Sequence, residues 1–159
     1  MAEPGNCTPQ GRQAWIAALG QPRAAATLDP VALRFVRYLR LIAIHRCARR
    51  DPVPELVAQT GCIALAVKAL QLAEALGWSW PEPIQLRRFC CGVLSHDEVT
   101  IGALVEATRS HDRAHFAAQI AGLVRPERIE HLWQASLELV ACEAARACGN
   151  HGGGVPRIA

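Results

Sequence analysis

The chain has 159 residues, of which 51% are hydrophobic and 19% charged, which excludes an intrinsically disordered protein and allows one domain with a proper core. A net charge of +3 is too small to imply nucleic acid by itself, and 7 cysteines, an odd number, fit reduced thiols better than a disulfide framework. No uninterrupted apolar stretch reaches the length of a membrane span, and Met1-Ala2-Glu3-Pro4-Gly5 lacks the basic-then-apolar pattern of a secretory signal, so a soluble, cytoplasmic protein is expected.

Ala and Arg are abundant and Lys68 is the only lysine, the usage of a GC-rich bacterial genome. Residues 1–10 read as a loose tail, residues 11–148 as one helical domain, and residues 149–159, with three consecutive glycines, as a second tail. Strand-like alternation is nearly absent between the tails, so helices are expected throughout. A short helix is predicted over Arg12–Leu19, stopping at Gly20. The next opens at Asp29-Pro30 and runs to about Arg49. Asp is a good N-cap, and Pro suits the first helical position because its missing N–H would be unpaired there anyway. A third is expected from Asp51-Pro52 to Gly77, with Gly77 as its left-handed C′ residue. Its middle, Ile63 to Leu70, is apolar on every side except Lys68, which predicts burial on most faces at the centre of a bundle.

Trp78, Trp80, Pro81 and Pro83 then break the helix, and Ile84 to Val93 reads equally as a short helix or an extended segment. Ser95-His96-Asp97-Glu98 is a capping box opening a helix that buries Ile101, Leu104, Val105 and Thr108. Ser110 is expected to cap the next helix, whose core face is Phe116, Ile120 and Leu123. Pro126 opens the last helix, with Ile129, Leu132, Trp133, Ser136, Leu137, Val140 and Ala144 as its buried stripe and Gly149 as its end. No repeat of fixed period is present. The expected fold is an all-α, single-domain bundle of about six helices with short connections.

The densest group of metal-capable side chains is Cys90-Cys91 with His96, His111 and His115 downstream. His111 and His115 are spaced i, i+4, which puts both on one face in the first turn of the expected helix. The positive end of the helix dipole keeps imidazoles neutral there, and Cys90, Cys91, His111 and His115 together would suit tetrahedral Zn²⁺. Against this, adjacent cysteines tend to diverge, no Cys-x-x-Cys supports them, and the histidine face is turned about 100° from the Phe116 stripe. Cys142, Cys148 and His151 form a weaker cluster, because Cys142 and Cys148 do not share a helix face. A Cys90–Cys91 disulfide would need a strained ring. Cys47 lies beside Arg46, Arg49 and Arg50, cations that stabilise a thiolate, and is the candidate reactive thiol; the alternative is a buried helical cysteine.

Arg34, Arg37, Arg40, Arg46, Arg49 and Arg50 fall between Val31 and Arg50 with no acid among them, either a solvated helix face or a surface for an acidic partner. Trp78 and Trp80 read as interface anchors or as rings pinning their own loop. The stretch Glu55-Leu56-Val57-Ala58-Gln59-Thr60-Gly61, followed by Val67 and Leu70, resembles the helix-turn-helix of bacterial repressors over some twenty residues. That resemblance implies DNA binding, with the helix after Gly61 as the reader and the Arg-rich helix on phosphates. The reader helix presents Ile63, Ala64, Leu65, Lys68 and Ala69, which offer almost no hydrogen bonds to base edges.

No catalytic constellation is found: there is no nucleophile elbow for the His151-Gly152-Gly153-Gly154 loop, no P-loop and no GxGxxG. His96-Asp97-Glu98 and His111-Asp112 sit in first turns, where acids are favoured for capping alone. The expectation is a non-catalytic binding or regulatory module with an interaction surface at Arg34, Arg37, Arg46, Trp78 and Trp80, facing another protein or a second copy of itself. The alternatives are a zinc- or thiol-based sensor at Cys90, Cys91, His111 and His115, and a divergent DNA-binding regulator.

Overall fold

Asp29 and Pro30 start the first helix as their chemistry dictates. In a computed structural model that describes residues 21–149, Asp29 Oδ1 accepts from the Val31 N–H at 2.9 Å and α1 spans Pro30–Cys47. The N–H of Asp29 donates to Glu106 Oε1 at 2.8 Å and its carboxylate pairs with Arg109, which ties the start of α1 to the end of α4 (His96–Arg109). Arg49, at φ 53°, closes α1 in the left-handed conformation, and the Arg50 N–H reaches back to the His45 carbonyl at 2.8 Å.

The single helix expected over residues 51–77 is two. Gly61, at φ 66°, ends α2 (Val53–Thr60), and α3 (Ile63–Ser79) follows directly. A long apolar run does not outweigh a residue free to take the left-handed region, where the helical ladder stops. Gly77 lies inside α3, which continues to Ser79 and is capped by Trp80. The capping box is present as expected: Ser95 Oγ accepts from the Glu98 N–H at 3.1 Å and Glu98 Oε2 accepts from the Ser95 N–H at 2.8 Å. Ser110, however, terminates α4 instead of starting α5. His111 takes φ 54°, the Asp112 N–H bonds the Ala107 carbonyl at 2.9 Å, and Asp112 caps α5 (Arg113–Ile120) through the His115 N–H. Helix α6 spans Pro126–Gly149.

The described residues thus hold six α-helices, a short 3₁₀ turn at Ala25–Thr27, and no β-strand beyond an isolated antiparallel bridge between Ala24 and Val93. The helix expected over Arg12–Leu19, the first tail and residues 150–159 lie outside the described residues. The fold is an all-α, single-domain bundle. Helices α3 and α6 share the largest interface, α1 lies on α4, and α4 also packs against α5 and α6. Phe35, Leu56, Leu65, Leu76, Ile101, Phe116, Ile120, Leu132 and Leu139 are fully buried. Phe116 meets Trp133 edge-on, with centroids 5.1 Å apart at 77°. The buried hydroxyls of Thr108 and Ser136 bond each other at 2.8 Å. Gly102 is required by close packing, because a Cβ there would lie 2.7 Å from Leu28 Cδ2.

Three expectations about burial change. Ile63 is 69% and Val67 40% exposed, so α3 buries one face (Leu65, Ala66, Ala69, Leu72, Ala73, Leu76) and not most of them. Leu123 is exposed and Val124 takes its core place. The stripe of α6 turns through Leu139 to Glu143 and leaves Ala144 in solvent, because a pair of arginines meets Glu143. The connection over residues 80–95 is long and irregular, with neither a helix nor a strand. No described helix is long and apolar enough to cross a membrane.

Candidate ligand-binding cleft

Arg40 sits among apolar residues, Tyr38-Leu39-Arg40-Leu41-Ile42, and is 3% exposed. Burying a guanidinium is costly unless its donors are met. All five are. Nε donates to Glu98 Oε1 at 2.6 Å and Nη2 to Glu98 Oε2 at 2.9 Å. Nη1 donates to the carbonyls of Arg88 (3.1 Å) and Cys91 (2.7 Å), and Nη2 to that of Val93 (3.0 Å). Glu98, fully buried, also accepts the N–H groups of Arg87 at 3.1 Å and Ser95 at 2.8 Å. Burial alone would raise the Glu98 carboxyl; the Arg40 hydrogen bonds, with those from the backbone, outweigh it and hold the group below the ordinary carboxylate range. The same pairing raises Arg40. The connection over residues 80–95 is therefore folded around one ion pair. Its ends are pinned separately: Trp80 Nε1 donates to Asp97 Oδ1 at 3.2 Å, and the Gln85 N–H to Asp97 Oδ2 at 2.7 Å. The Ala25 N–H bonds the Gly92 carbonyl, and the Leu94 N–H that of Arg23, each at 2.8 Å.

Fixed in this way, Phe89–Gly92 face α1 across a cleft of about 510 Å³, with Gln59 of α2 at one side. Leu33, Val36, Leu41 and Phe89 supply apolar walls, Arg34 and Arg37 supply cations, and no Asp or Glu lines the space. The two arginines differ. Arg34 makes a bidentate pair with the buried Glu143, Nε–Oε1 3.1 Å and Nη2–Oε2 3.0 Å, and Arg146 reaches the same carboxylate at 3.2 Å. Hydrogen bonding to Glu143 raises Arg34. Burial, and then the Glu143 charge, raises Tyr38. Arg37 is exposed and has no ion pair or hydrogen bond among the described residues, so its charge faces the cleft mouth uncompensated. An apolar groove with a free guanidinium at its rim suits a ligand carrying a carboxylate or phosphate beside an apolar group.

The sequence-predicted site residues are distributed around this cleft and away from it. Cys90 is exposed and Cys91 half-buried, and both line the cleft. His111 and His115 do not share a helix, because the boundary at Asp112 falls between them, and His115 is exposed with its ring at 3.2 Å from Gln119. Among the described residues no three His, Cys, Asp or Glu side chains converge to hold a metal ion, so Cys90, Cys91, His111 and His115 are not gathered as one zinc site. Cys47 is exposed at the last residue of α1. Arg46 forms an exposed pair with Glu74 at 3.0 Å. Trp78 is 78% exposed, whereas Trp80 is buried and spends its N–H on Asp97, so the two tryptophans do not form one patch. At the start of α3 the exposed residues are Ile63, Ala64 and Val67, and Lys68 is engaged by Glu138 at 2.6 Å.

Arg40, Glu98 and Phe89 are the residues that sequence reasoning missed. A signal for Arg40 existed, a lone charge inside an apolar run, and for Glu98 the capping box. Nothing local marks Phe89. No family model matches the chain, and no curated protein or solved structure shows significant similarity to it.

Proposed function

We propose that this protein is a binding module that holds an acidic segment of a partner protein in the cleft between α1 and Phe89–Gly92. The observation that carries this reading is the lining: an apolar groove with Arg34 and Arg37 at its wall, the second of them unpaired among the described residues, and no acid. A carboxylate of the partner pairs with Arg37 while an adjacent apolar side chain lies against Leu33 and Phe89, which is 41% exposed. The apolar start of α3 offers no donors to base edges, which favours a protein partner over sequence-read DNA.

The test is titration of ¹⁵N-labelled protein with short peptides alternating Asp or Glu with Leu and Phe, using Lys-substituted peptides and duplex DNA as controls. Acidic peptides are expected to shift the amides of Arg37, Phe89, Cys91 and Gly92, to bind more weakly as salt rises, and to lose affinity in Arg37→Glu. Shifts that map elsewhere, or equal binding of the basic peptides, defeat the reading.

A further inference from the structure

Cys62 and Cys142 are remote in sequence and meet in the fold. Cys62 is the cap residue of α3, just past the left-handed Gly61, and Cys142 lies in the C-terminal half of α6, the helix that shares the largest interface with α3. Both thiols are free, half-buried and packed against the core, where α3 lies on α6, close enough for the Cys62 thiol to act on that of Cys142. The backbone around them is held. Thr60 Oγ1 donates to the Cys62 carbonyl at 2.9 Å and accepts from the Cys62 N–H at 3.2 Å. One turn beyond Cys142, Arg146 donates to the Thr60 carbonyl at 3.4 Å. Neither thiol lines the cleft.

We propose that Cys62 and Cys142 are a reversible disulfide site whose reagent is a low-molecular-weight disulfide. The Cys62 thiolate attacks one sulfur of the reagent, forming a mixed disulfide and expelling one reagent thiolate. The Cys142 thiolate then attacks the Cys62 sulfur, closing the protein disulfide and expelling the second. The two protein thiols give up two electrons and two protons, and the reagent's S–S bond becomes two thiols. Burial, and then the neighbouring Cys62 thiol, push the Cys142 thiol up, which makes Cys62 the first to react and Cys142 the resolving group. The bond staples the α2–α3 turn to α6. Its effect reaches the cleft through the chain, because the next residue, Glu143, is the one that holds Arg34.

The full-length protein, reduced and folded, is treated with oxidised glutathione at increasing ratios to reduced glutathione, quenched by alkylation and digested with trypsin without reduction. Cleavage places Cys62 in residues 51–68, Cys142 in 129–146, Cys90 and Cys91 together in 89–109, and Cys148 in 147–157, so a Cys62–Cys142 bond, a Cys142–Cys148 bond and a bond to the Cys90-Cys91 pair give different products. The expected product joins 51–68 to 129–146, is reversed by reductant, and forms about tenfold faster in the folded protein than in urea, because the fold holds the thiols at high effective concentration. The oxidised protein is expected to melt several degrees higher than the reduced one. Cys62→Ser and Cys142→Ala are each expected to stop at glutathione on the remaining partner. Three results overturn the proposal: glutathione confined to Cys47 and Cys90 with Cys62 and Cys142 still alkylatable, a Cys142–Cys148 product instead, or a cross-link that forms only in urea. Each is read on the wild-type chain, so the test does not depend on the variants folding.

Discussion

Inside the seam where α4 and α5 meet α6, Phe116 lies edge-on to Trp133, and Leu132 and Ile101 are shut off from water among many apolar neighbours. Inside the α1–α4 seam, equally shut off, Arg40 takes Glu98 and three carbonyls of the connection over residues 80–95. The first seam spreads its stabilisation over many side chains, each replaceable at a partial loss. The second concentrates it in one guanidinium. A buried carboxylate and the conformation of a whole loop depend on that group, and the loop forms one wall of the cleft. The bundle is thus a redundant scaffold, and the site built on it centres on one polar node.

Substitution at that node sharpens the contrast most. Arg40→Met leaves Glu98 buried without its cation and three carbonyls without their donor, and is expected to cost about 4 kcal/mol in urea unfolding. Amide exchange should rise first over residues 85–95, while α3 and α6 keep their protection. Acidic-peptide affinity should fall with the loop. The counterpart in the bundle is Leu132→Ala, expected to cost about 3 kcal/mol through lost burial and a residual cavity. Its exchange should rise evenly over the helices, with no selective release of residues 85–95. If both substitutions loosened the same amides, the two seams would be one cooperative unit and the comparison would fail.

Acid tests the same node without mutation. The Glu98 carboxyl is held below its ordinary value of 4.5, so its contribution to stability is present above that value and is lost as pH falls through the lower folded value. The stability difference between wild type and Glu98→Gln should therefore be flat above pH 4.5 and shrink on further acidification, by up to about 1.4 kcal/mol per pH unit. A difference that stayed constant to lower pH would mean that Glu98 is not the group that acid removes.

The two seams were also unequally legible. Asp29-Pro30 and the Ser95–Glu98 box are local signals, readable because a cap needs only its own next few residues, and both helices start where they indicate. The all-α class and most of the core of α4 follow from period alone. The break at Gly61 was hidden by the apolar run around it, although the likeness to a helix-turn-helix pointed at the same turn. His111 and His115 show how spacing misleads when a boundary shifts: their i, i+4 separation has no meaning across the cap at Asp112. Arg34, Arg37 and Arg40 read as one solvated stripe, yet each step of three residues turns back about 60° around a helix. Two steps carry the third arginine from the surface into the seam, where period identifies a buried position but cannot name its partner. Cys90-Cys91 lies in the segment that Arg40 holds, and through its backbone instead of its thiols: the Cys91 carbonyl is one of the three that accept from Arg40.

The smallest expected effects come from the tryptophans that flank the loop, and they separate anchoring from exposure. Trp80 is buried and its indole N–H donates to Asp97 Oδ1, the residue that also accepts the Gln85 N–H. Trp80→Phe keeps most of the ring and removes that donor, for an expected loss of about 1 kcal/mol. Trp78, one residue before the end of α3, is 78% exposed, and Trp78→Ala should change stability by less than about 0.5 kcal/mol. Acidic-peptide affinity distinguishes them further, because neither ring lines the cleft but Trp80 holds the start of the connection that does. A modest loss of affinity in Trp80→Phe with none in Trp78→Ala is the expected pattern. Were Trp78→Ala the more damaging for binding, the recognition surface would lie along the exposed side of α3 with Ile63 and Val67, and the ordered loop would serve only to close the bundle.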